Sequence, residues 1–179
     1  MNVKRLNILT MLISLAMLEA CDNAPPVLAD IESSPLSYTE DEAATEITAT
    51  LTVTDSDDSK LSGATIEISS NYQDSEDELA YNGNPPTAIT VNTNNGTLTL
   101  SGSADLSDYQ TALRAITYRN TNTSTPNTST RTVNFTVSDE TNNSNSVSRA
   151  IMVKTANDAP VLDKTSALKL DAVTEDAAR

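Results

Sequence analysis

An aspartate cluster at the end of an apolar strand pattern has the clearest chemistry in this chain. The stretch from Thr52 to Asp58 reads TVTDSDD, which puts three carboxylates within four positions directly after alternating apolar residues. Two carboxylates about 4 Å apart repel by roughly 1 kcal/mol in water and by several times more near a protein surface. A bound cation would remove that repulsion, so Asp55, Asp57 and Asp58 predict a cation site.

Composition favours divalent cations over other partners. The 179-residue chain has a formal net charge of −14 and contains no His, no Trp and one Cys. Nucleic acids and anionic membrane surfaces bind proteins through Lys and Arg, so we expect neither as a partner. Oxygen ligands at this density favour calcium over zinc or copper. The competing interpretation is that an acidic secreted protein simply carries its carboxylates in solvated loops.

The first residues have the composition of an export signal. Lys4 and Arg5 precede an apolar run from Leu6 to Leu18, which has signal-peptide length and is too short to cross a bilayer comfortably. The run ends in Leu-Glu-Ala-Cys and resembles a bacterial lipoprotein signal, in which Cys21 becomes the acylated first residue. Glu19 departs from that pattern, and an ordinary secretory signal is the alternative. We expect an exported lipoprotein, anchored in a membrane through Cys21 and facing the periplasm or the cell surface.

Two motifs recur at a nearly constant distance. The run NAPPVL at residues 23–28 is answered by NDAPVL at 157–162, with an offset of 134 residues between Pro26 and Pro160, and Thr-Glu-Asp at 39–41 recurs 135 residues later. Self-similarity at a fixed period is typical of tandem arrays. We therefore expect a signal peptide at 1–21, one complete unit at 22–156, and at 157–179 a linker with the first strand of a truncated second unit.

Apolar periodicity predicts an all-β unit with one short helix. Apolar residues alternate from Ile47 to Val53 as if on one continuous strand, and Asn94-Asn95-Gly96 between two alternating runs predicts a β-hairpin. Residues 105–116 change to helical spacing, with a loop as the alternative. The pattern favours a Greek-key β-sandwich of seven or eight strands with one helical crossover. Further strands are expected at 64–68, 115–119, 132–138 and 147–154.

Alternating strand directions would divide the acidic residues between two ends of the sandwich. We call the end where residue 22 joins the unit the proximal end, and the opposite end, where the linker at 157 leaves, the distal end. The proximal end should gather Asp55, Asp57, Asp58, Asp139 and Glu140. The distal end should gather Glu40, Asp105, Asp108, Asn157 and Asp158. The acidic run at 74–78 is interpreted as a solvated loop.

The order of these motifs resembles a cadherin repeat, and more closely the cadherin-like repeats of large bacterial surface proteins and adhesins. The resemblance rests on Glu40, Asp55-Ser56-Asp57, the runs 63–68, 98–118 and 135–139, and Asn157-Asp158-Ala159-Pro160. It implies an immunoglobulin-like sandwich with Ca²⁺ held at the junctions between repeats. The implied ligands are Asp55, Asp57 and Asp139 at the proximal end and Glu40, Asp105, Asn157 and Asp158 at the distal end.

Two features depart from the family pattern. Ala156 stands where the family linker has an Asn, and the segment around 71–100 makes the unit longer than a eukaryotic cadherin repeat. The implied function is a non-catalytic, calcium-binding module of a membrane-anchored surface protein, acting in adhesion or as a rigid stalk. Its expected partners are a cell-surface protein, a glycan, or another copy of the chain.

Two other functions compete with this one. An accessory carbohydrate-binding module would stack sugars on exposed aromatic rings, for which Tyr38, Tyr72 and Tyr81 are the candidates. An enzyme is not expected, because the chain has no His, Cys21 lies in the signal and no Ser lies in a recognisable nucleophile turn.

Overall fold

The computed structural model describes residues 23–158, so the expected signal peptide with Cys21 and the expected second-unit strand at 159–179 lie outside the described residues. Within them the fold is almost entirely β, with eleven strand segments and one helix. They are β1 (Val27–Ala29), β2 (Leu36–Thr39), β3 (Thr45–Glu46), β4 (Thr52–Thr54), β5 (Lys60–Ser70), β6 (Asp77–Tyr81), β7 (Thr90–Asn94), β8 (Thr97–Asp105), α1 (Leu106–Arg114), β9 (Ile116–Asn120), β10 (Arg131–Ser138) and β11 (Val147–Lys154).

Six strands form the main sheet, in the order β2-β11-β10-β5-β8-β7. Neighbours are antiparallel except β2 and β11, which run parallel. Alternate residues of β10 are buried, as the sequence predicts for Val133, Phe135 and Val137. The predicted hairpin is confirmed between β7 and β8, where Asn95 and Gly96 both have positive φ, at 46° and 74°. Two successive left-handed residues match the right-handed twist of the flanking strands.

Smaller sheets and the helix pack against the main sheet. One has the order β3-β9-β6 and the other pairs β1 with β4, and their buried residues share one hydrophobic core with the main sheet. The predicted helix is confirmed as α1, which buries Tyr109, Ala112 and Leu113. The predicted all-β sandwich with one helical crossover is therefore confirmed. No helix within 23–158 has the length and apolar character needed to span a membrane.

The predicted continuous strand from Ile47 to Val53 is wrong, and this partly explains why there are more segments than expected. β3 ends at Glu46 in one sheet and β4 begins at Thr52 in another, and between them Thr48 is buried while Ala49 is exposed. The Ala49 N–H donates to Glu32 Oε1 at 2.9 Å, and the Leu51 N–H donates to Thr48 Oγ1 at 3.2 Å. Side-chain acceptors thus replace strand partners, and the chain bends from one sheet to the other.

The interpretation of residues 74–78 as a solvated loop is wrong for Asp77, although Asp74 and Glu78 are exposed. The run leads into β6, which pairs with β9, and the Asp77 side chain is fully buried beside Arg131. Antiparallel strands reverse direction, so the unexpected strand β6 reverses the direction inferred for β8. β8 consequently ends at the proximal end, where Asp105 aligns with Lys60, the first residue of β5.

Candidate metal centre

The loop after β4 brings three carboxylates together. Asp55, Asp57 and Asp58 each place a carboxylate oxygen within 4.8 Å of the others. Asp55 Oδ1 accepts the N–H of Asp57 at 3.2 Å and that of Asp58 at 3.1 Å, so this side chain fixes the turn. The other oxygen, Asp55 Oδ2, is buried and accepts no hydrogen bond from any residue in 23–158.

Asp139 lies just past the end of β10 and is only 4% exposed. Its Oδ1 accepts the N–H of Asn142 at 2.6 Å, the N–H of Thr141 at 2.5 Å and the Thr141 hydroxyl at 3.0 Å. These bonds, that from Asn142 foremost, hold the pKa of Asp139 below its ordinary value of 3.8 despite burial, so the group is ionised at neutral pH. Asp139 Oδ2, like Asp55 Oδ2, is buried without a donor among the described residues.

The segment before β1 ties these two acidic loops together. The Ala24 N–H donates to Asp57 Oδ2 at 3.0 Å. Asn142 Nδ2 donates to the main-chain oxygen of Asn23 at 2.8 Å and to its side-chain oxygen at 3.2 Å. Residues distant in sequence therefore meet at the proximal end, as predicted for Asp55, Asp57 and Asp139.

A cavity of about 280 Å³ lies at the same end and joins the two loops. Asp58 and Asp139 both line it, together with Asn23, Ser103 and the side chain of Lys60. The Lys60 ammonium is 2.8 Å from Asp105 Oδ1, in a pair whose side chains are 56% and 61% exposed. An exposed pair of this kind contributes little stability, about 0 to 1 kcal/mol. Lys60 therefore bonds to an acid outside the Asp55–Asp58 loop.

The donor set fits a calcium ion. A buried carboxylate oxygen without a hydrogen-bond donor is costly, and the proximal end holds two of them. The side chains there offer carboxylate and amide oxygens, which Ca²⁺ takes in groups of six to eight, whereas zinc prefers nitrogen and sulfur. Asp55, Asp57 and Asp58 are the described residues whose carboxylates lie close enough together to hold one metal ion.

A second oxygen-rich group is found at the distal end. Glu40 follows β2 and is 2% exposed. Its Oε1 accepts the Ala156 N–H at 2.5 Å, and its Oε2 is buried with no donor in the described part of the chain. Asn157 and Asp158 come next and are exposed. Glu40 is thus bonded to the residue that directly precedes the linker at 157.

The predicted place of Asp105 beside that linker is wrong. Asp105 ends β8 at the proximal end and pairs with Lys60, and Asp108 lies in the first turn of α1, which starts there. The eleven residues of β5 separate the two ends by roughly 35 Å at about 3.3 Å per residue. The error follows from the unexpected strand β6, which reversed the inferred direction of β8.

Sequence reasoning missed the residues that orient Asp139. Thr141 and Asn142 fold back onto its Oδ1, and Asn142 also holds Asn23. A signal was present, because an Asp side chain commonly bonds the main chain two residues further on, which here is Thr141. The link from Asn142 to Asn23 spans 119 residues and has no local signal.

The three tyrosines considered as sugar platforms are not open flat surfaces. Tyr38 is fully buried and packs edge-on against Tyr118, with ring centroids 5.3 Å apart and an interplanar angle of 87°. Tyr72 and Tyr81 are half-buried and pack against the core. A stacking site would need an open ring face, which the fully buried Tyr38 does not offer.

Comparison with known proteins yields one partial similarity. No protein-family model matches the chain, and no solved structure matches it. The chain is similar to halomucin of Haloquadratum walsbyi, with 40% identity over 91 residues, or 48% of this chain and 1% of halomucin. A match to so little of halomucin assigns no family. Over about half its length, this chain therefore resembles a small part of a much longer protein.

Proposed function

We propose that this chain is a non-catalytic, calcium-binding, cadherin-like module of a membrane-anchored surface protein, which acts in adhesion or as a rigid stalk. The observation that carries the proposal is the pair of buried carboxylate oxygens, Asp55 Oδ2 and Asp139 Oδ2, at one end of the sandwich. Asp139 is held ionised by its hydrogen bonds, so a cation would interact favourably with its free oxygen.

Calcium would act by stiffening the junction with whatever precedes the unit. Ala24 is already bonded to Asp57, and Asn23 to Asn142, so the segment before β1 lies against both acidic loops. Without the ion, the carboxylates repel one another and strain these contacts. With the ion, oxygens from both loops converge on one charge, and the direction of the segment becomes fixed. Extracellular modules commonly bind calcium with dissociation constants of about 10⁻⁴ to 10⁻³ M.

Three observations support an exported setting. The start of the sequence resembles a lipoprotein signal, two motifs recur at an offset of about 134 residues, and half of the chain resembles part of a much longer protein named as a mucin. A repeat in a long surface protein needs defined angles between units more than it needs a catalytic centre. Its partner would be a cell-surface protein, a glycan or another copy of the chain.

A calcium titration followed by thermal melting tests the proposal. The variant Asp55→Asn/Asp139→Asn removes both free carboxylate oxygens, and Glu46→Gln/Asp74→Asn removes two exposed charges elsewhere as a matched control. We expect calcium at ten times its dissociation constant to stabilise the natural chain by about 1.4 kcal/mol. The control should keep this gain and the site variant should lose it. The proposal fails if 10 mM calcium, a concentration chosen as roughly tenfold above the weaker constants cited, raises no melting temperature, or raises that of both variants equally.

A further inference from the structure

We propose that the loop joining β9 to β10, residues 121–130, is a site of O-linked glycosylation. The loop reads TNTSTPNTST, so that seven of its ten residues carry a hydroxyl and none carries a charge. Charged residues make up 20% of the whole chain, which sets this neutral stretch apart. Ser/Thr-rich segments that contain Pro are the composition typical of O-glycosylated stalks.

The hydroxyls of the loop are presented to solvent. All seven residues are exposed, and within residues 23–158 the hydroxyl groups of six of them form no hydrogen bond; these are Thr123, Ser124, Thr125, Thr128, Ser129 and Thr130. The seventh, Thr121, instead donates its hydroxyl to the main-chain oxygen of Glu76 at 3.1 Å. The loop thus separates one hydroxyl that bonds to the fold from six that are free to react.

The loop backbone is anchored even though its hydroxyls are free. Asn122 Oδ1 accepts the N–H groups of Ser124 and Thr125, each at 3.1 Å. Arg131 Nη1 donates to the main-chain oxygen of Ser129 at 2.6 Å, and Pro126 is buried. The loop backbone is therefore held in one conformation, with its free hydroxyls exposed on the surface.

The same contacts favour oxygen over nitrogen as the attachment atom. Asn122-Thr123-Ser124 and Asn127-Thr128-Ser129 both match the Asn-x-Ser/Thr pattern for N-linked sugars. Asn122 Nδ2, however, donates to Glu76 Oε1 at 2.9 Å and to Thr125 O at 3.0 Å. Asn127 Oδ1 accepts the Ser129 N–H at 2.9 Å. The Asn122 nitrogen is thus engaged and Asn127 is half-buried, whereas six hydroxyls of the loop are exposed and unbonded, which favours the hydroxyls as nucleophiles.

The reaction needs an activated sugar, linked through phosphate to a nucleotide or a lipid, and a transferase. A Ser or Thr oxygen attacks the anomeric carbon, the bond from that carbon to the phosphate breaks, and the hydroxyl proton passes to a base of the transferase. The loop lies at the distal end, because it starts from Asn120, which pairs with Asp77, and ends at Arg131. Modification there is separated from the Asp55–Asp139 region by the length of β5.

Peptide mapping of the chain isolated from the organism that makes it tests the inference. Trypsin cleaves after Arg119 and Arg131, so peptide 120–131 contains all seven loop hydroxyls. The next peptide, 132–149, also contains seven Ser and Thr residues and is a matched control. We expect whole-sugar mass increments on peptide 120–131, removed by β-elimination, and an unmodified control peptide.

Three results would overturn the inference. The first is a peptide 120–131 found only at its unmodified mass. The second is equal modification of both peptides, and the third is sugar on Asn122 or Asn127 that resists β-elimination. As a further check, alanine at the six positions with unbonded hydroxyls should abolish the mass increments while leaving the melting temperature unchanged. Increments that persist in that variant also contradict the inference.

Discussion

Two acidic runs that look alike in the sequence are neutralised in different ways. The first is DSDD at 55–58 and the second is DSEDE at 74–78. In the second, Asp77 Oδ2 is 3.0 Å from Arg131 Nε, and neither side chain is exposed. In the first, the carboxylates accept hydrogen bonds from main-chain N–H groups, and one buried oxygen accepts none. An acidic run is thus a cation-site candidate only where the fold supplies no cation of its own.

The buried pair is also surrounded by further donors. Asp77 Oδ1 accepts the Tyr118 hydroxyl at 2.6 Å and Asn120 Nδ2 at 3.2 Å. Burial, followed by the bond to Asp77, raises the pKa of Tyr118 far above its ordinary value. A buried carboxylate that is this well bonded has little to gain from a metal ion. Removing Arg131 should therefore lower the free energy of unfolding through Asp77, without any dependence on calcium.

Replacing Arg131 should have the largest effect. Arg131→Met leaves the Asp77 carboxylate buried without its cation, which typically costs about 3–5 kcal/mol of unfolding free energy. The loss should be the same in calcium and in chelator, and urea denaturation measures it. Arg119→Met is the matched control, because its pair with Glu78 is longer, at 3.4 Å, and about half exposed. That variant should lose less than about 1 kcal/mol. Equal losses of unfolding free energy in the two variants would contradict the claim that the buried pair with Asp77 is the more important one.

Glu32 combines both kinds of neutralisation, because it accepts a main-chain N–H and also lies beside an arginine. Burial alone would raise the pKa of Glu32, but the Ala49 N–H, the Thr48 hydroxyl and the Arg149 guanidinium together lower it from 4.5 to about 2. A lowered folded-state pKa gives stability that is complete above pH 4.5 and is lost as the pH falls towards 2.

Glu32→Gln should therefore be less stable at pH 7 by about 1–2 kcal/mol, a figure reduced for partial exposure. The difference between the variant and the natural chain should shrink below pH 4.5 and be smallest near pH 2. Urea denaturation across that range measures it. Parallel pH profiles would show that Glu32 acts through its hydrogen bond to Ala49 and not through its charge.

Local patterns in the sequence were sufficient for several of the strands and for part of the site. The hairpin at Asn95-Gly96 and the buried alternation of β10 depend only on neighbouring residues. Asp55, Asp57 and Asp139 were placed together because each follows the end of a strand, and strand ends meet at an end of a sandwich. These features depend on residues that are adjacent in sequence, and a sequence pattern can therefore predict them.

The failures have non-local causes. The bend after Ile47 depends on Glu32, which lies 17 residues before the N–H that it accepts from Ala49. β6 was hidden because Asp77 looks solvated until Arg131, 54 residues later, is known to bind it. The misplacement of Asp105 then followed from the missing strand. The unrecognised ion pair between Asp77 and Arg131 therefore accounts for two errors. They are the solvated-loop interpretation of residues 74–78 and the placement of Asp105 at the distal end.

The smallest effect, and the one most specific to the proximal end, concerns Lys60. This residue lines the same cavity as Asp58 and Asp139, and its ammonium is held by Asp105. Lys60→Gln removes a positive charge near the candidate site and should raise calcium affinity about twofold at low salt. Asp105→Asn frees that ammonium to approach the site acids and should lower calcium affinity by a similar factor. Isothermal titration measures both changes.

The opposite signs are what make this pair informative. Both variants break the same exposed ion pair, so any effect on stability should be alike in the two and below about 1 kcal/mol. Only the charge presented to the cavity differs between them. In 1 M salt, where the screening length falls to about 3 Å, the two affinities should converge. If both variants shift calcium affinity in the same direction, the ion binds too far from Lys60 to be affected by its charge. The cavity lined by Asp58 and Asp139 is then not part of the calcium site.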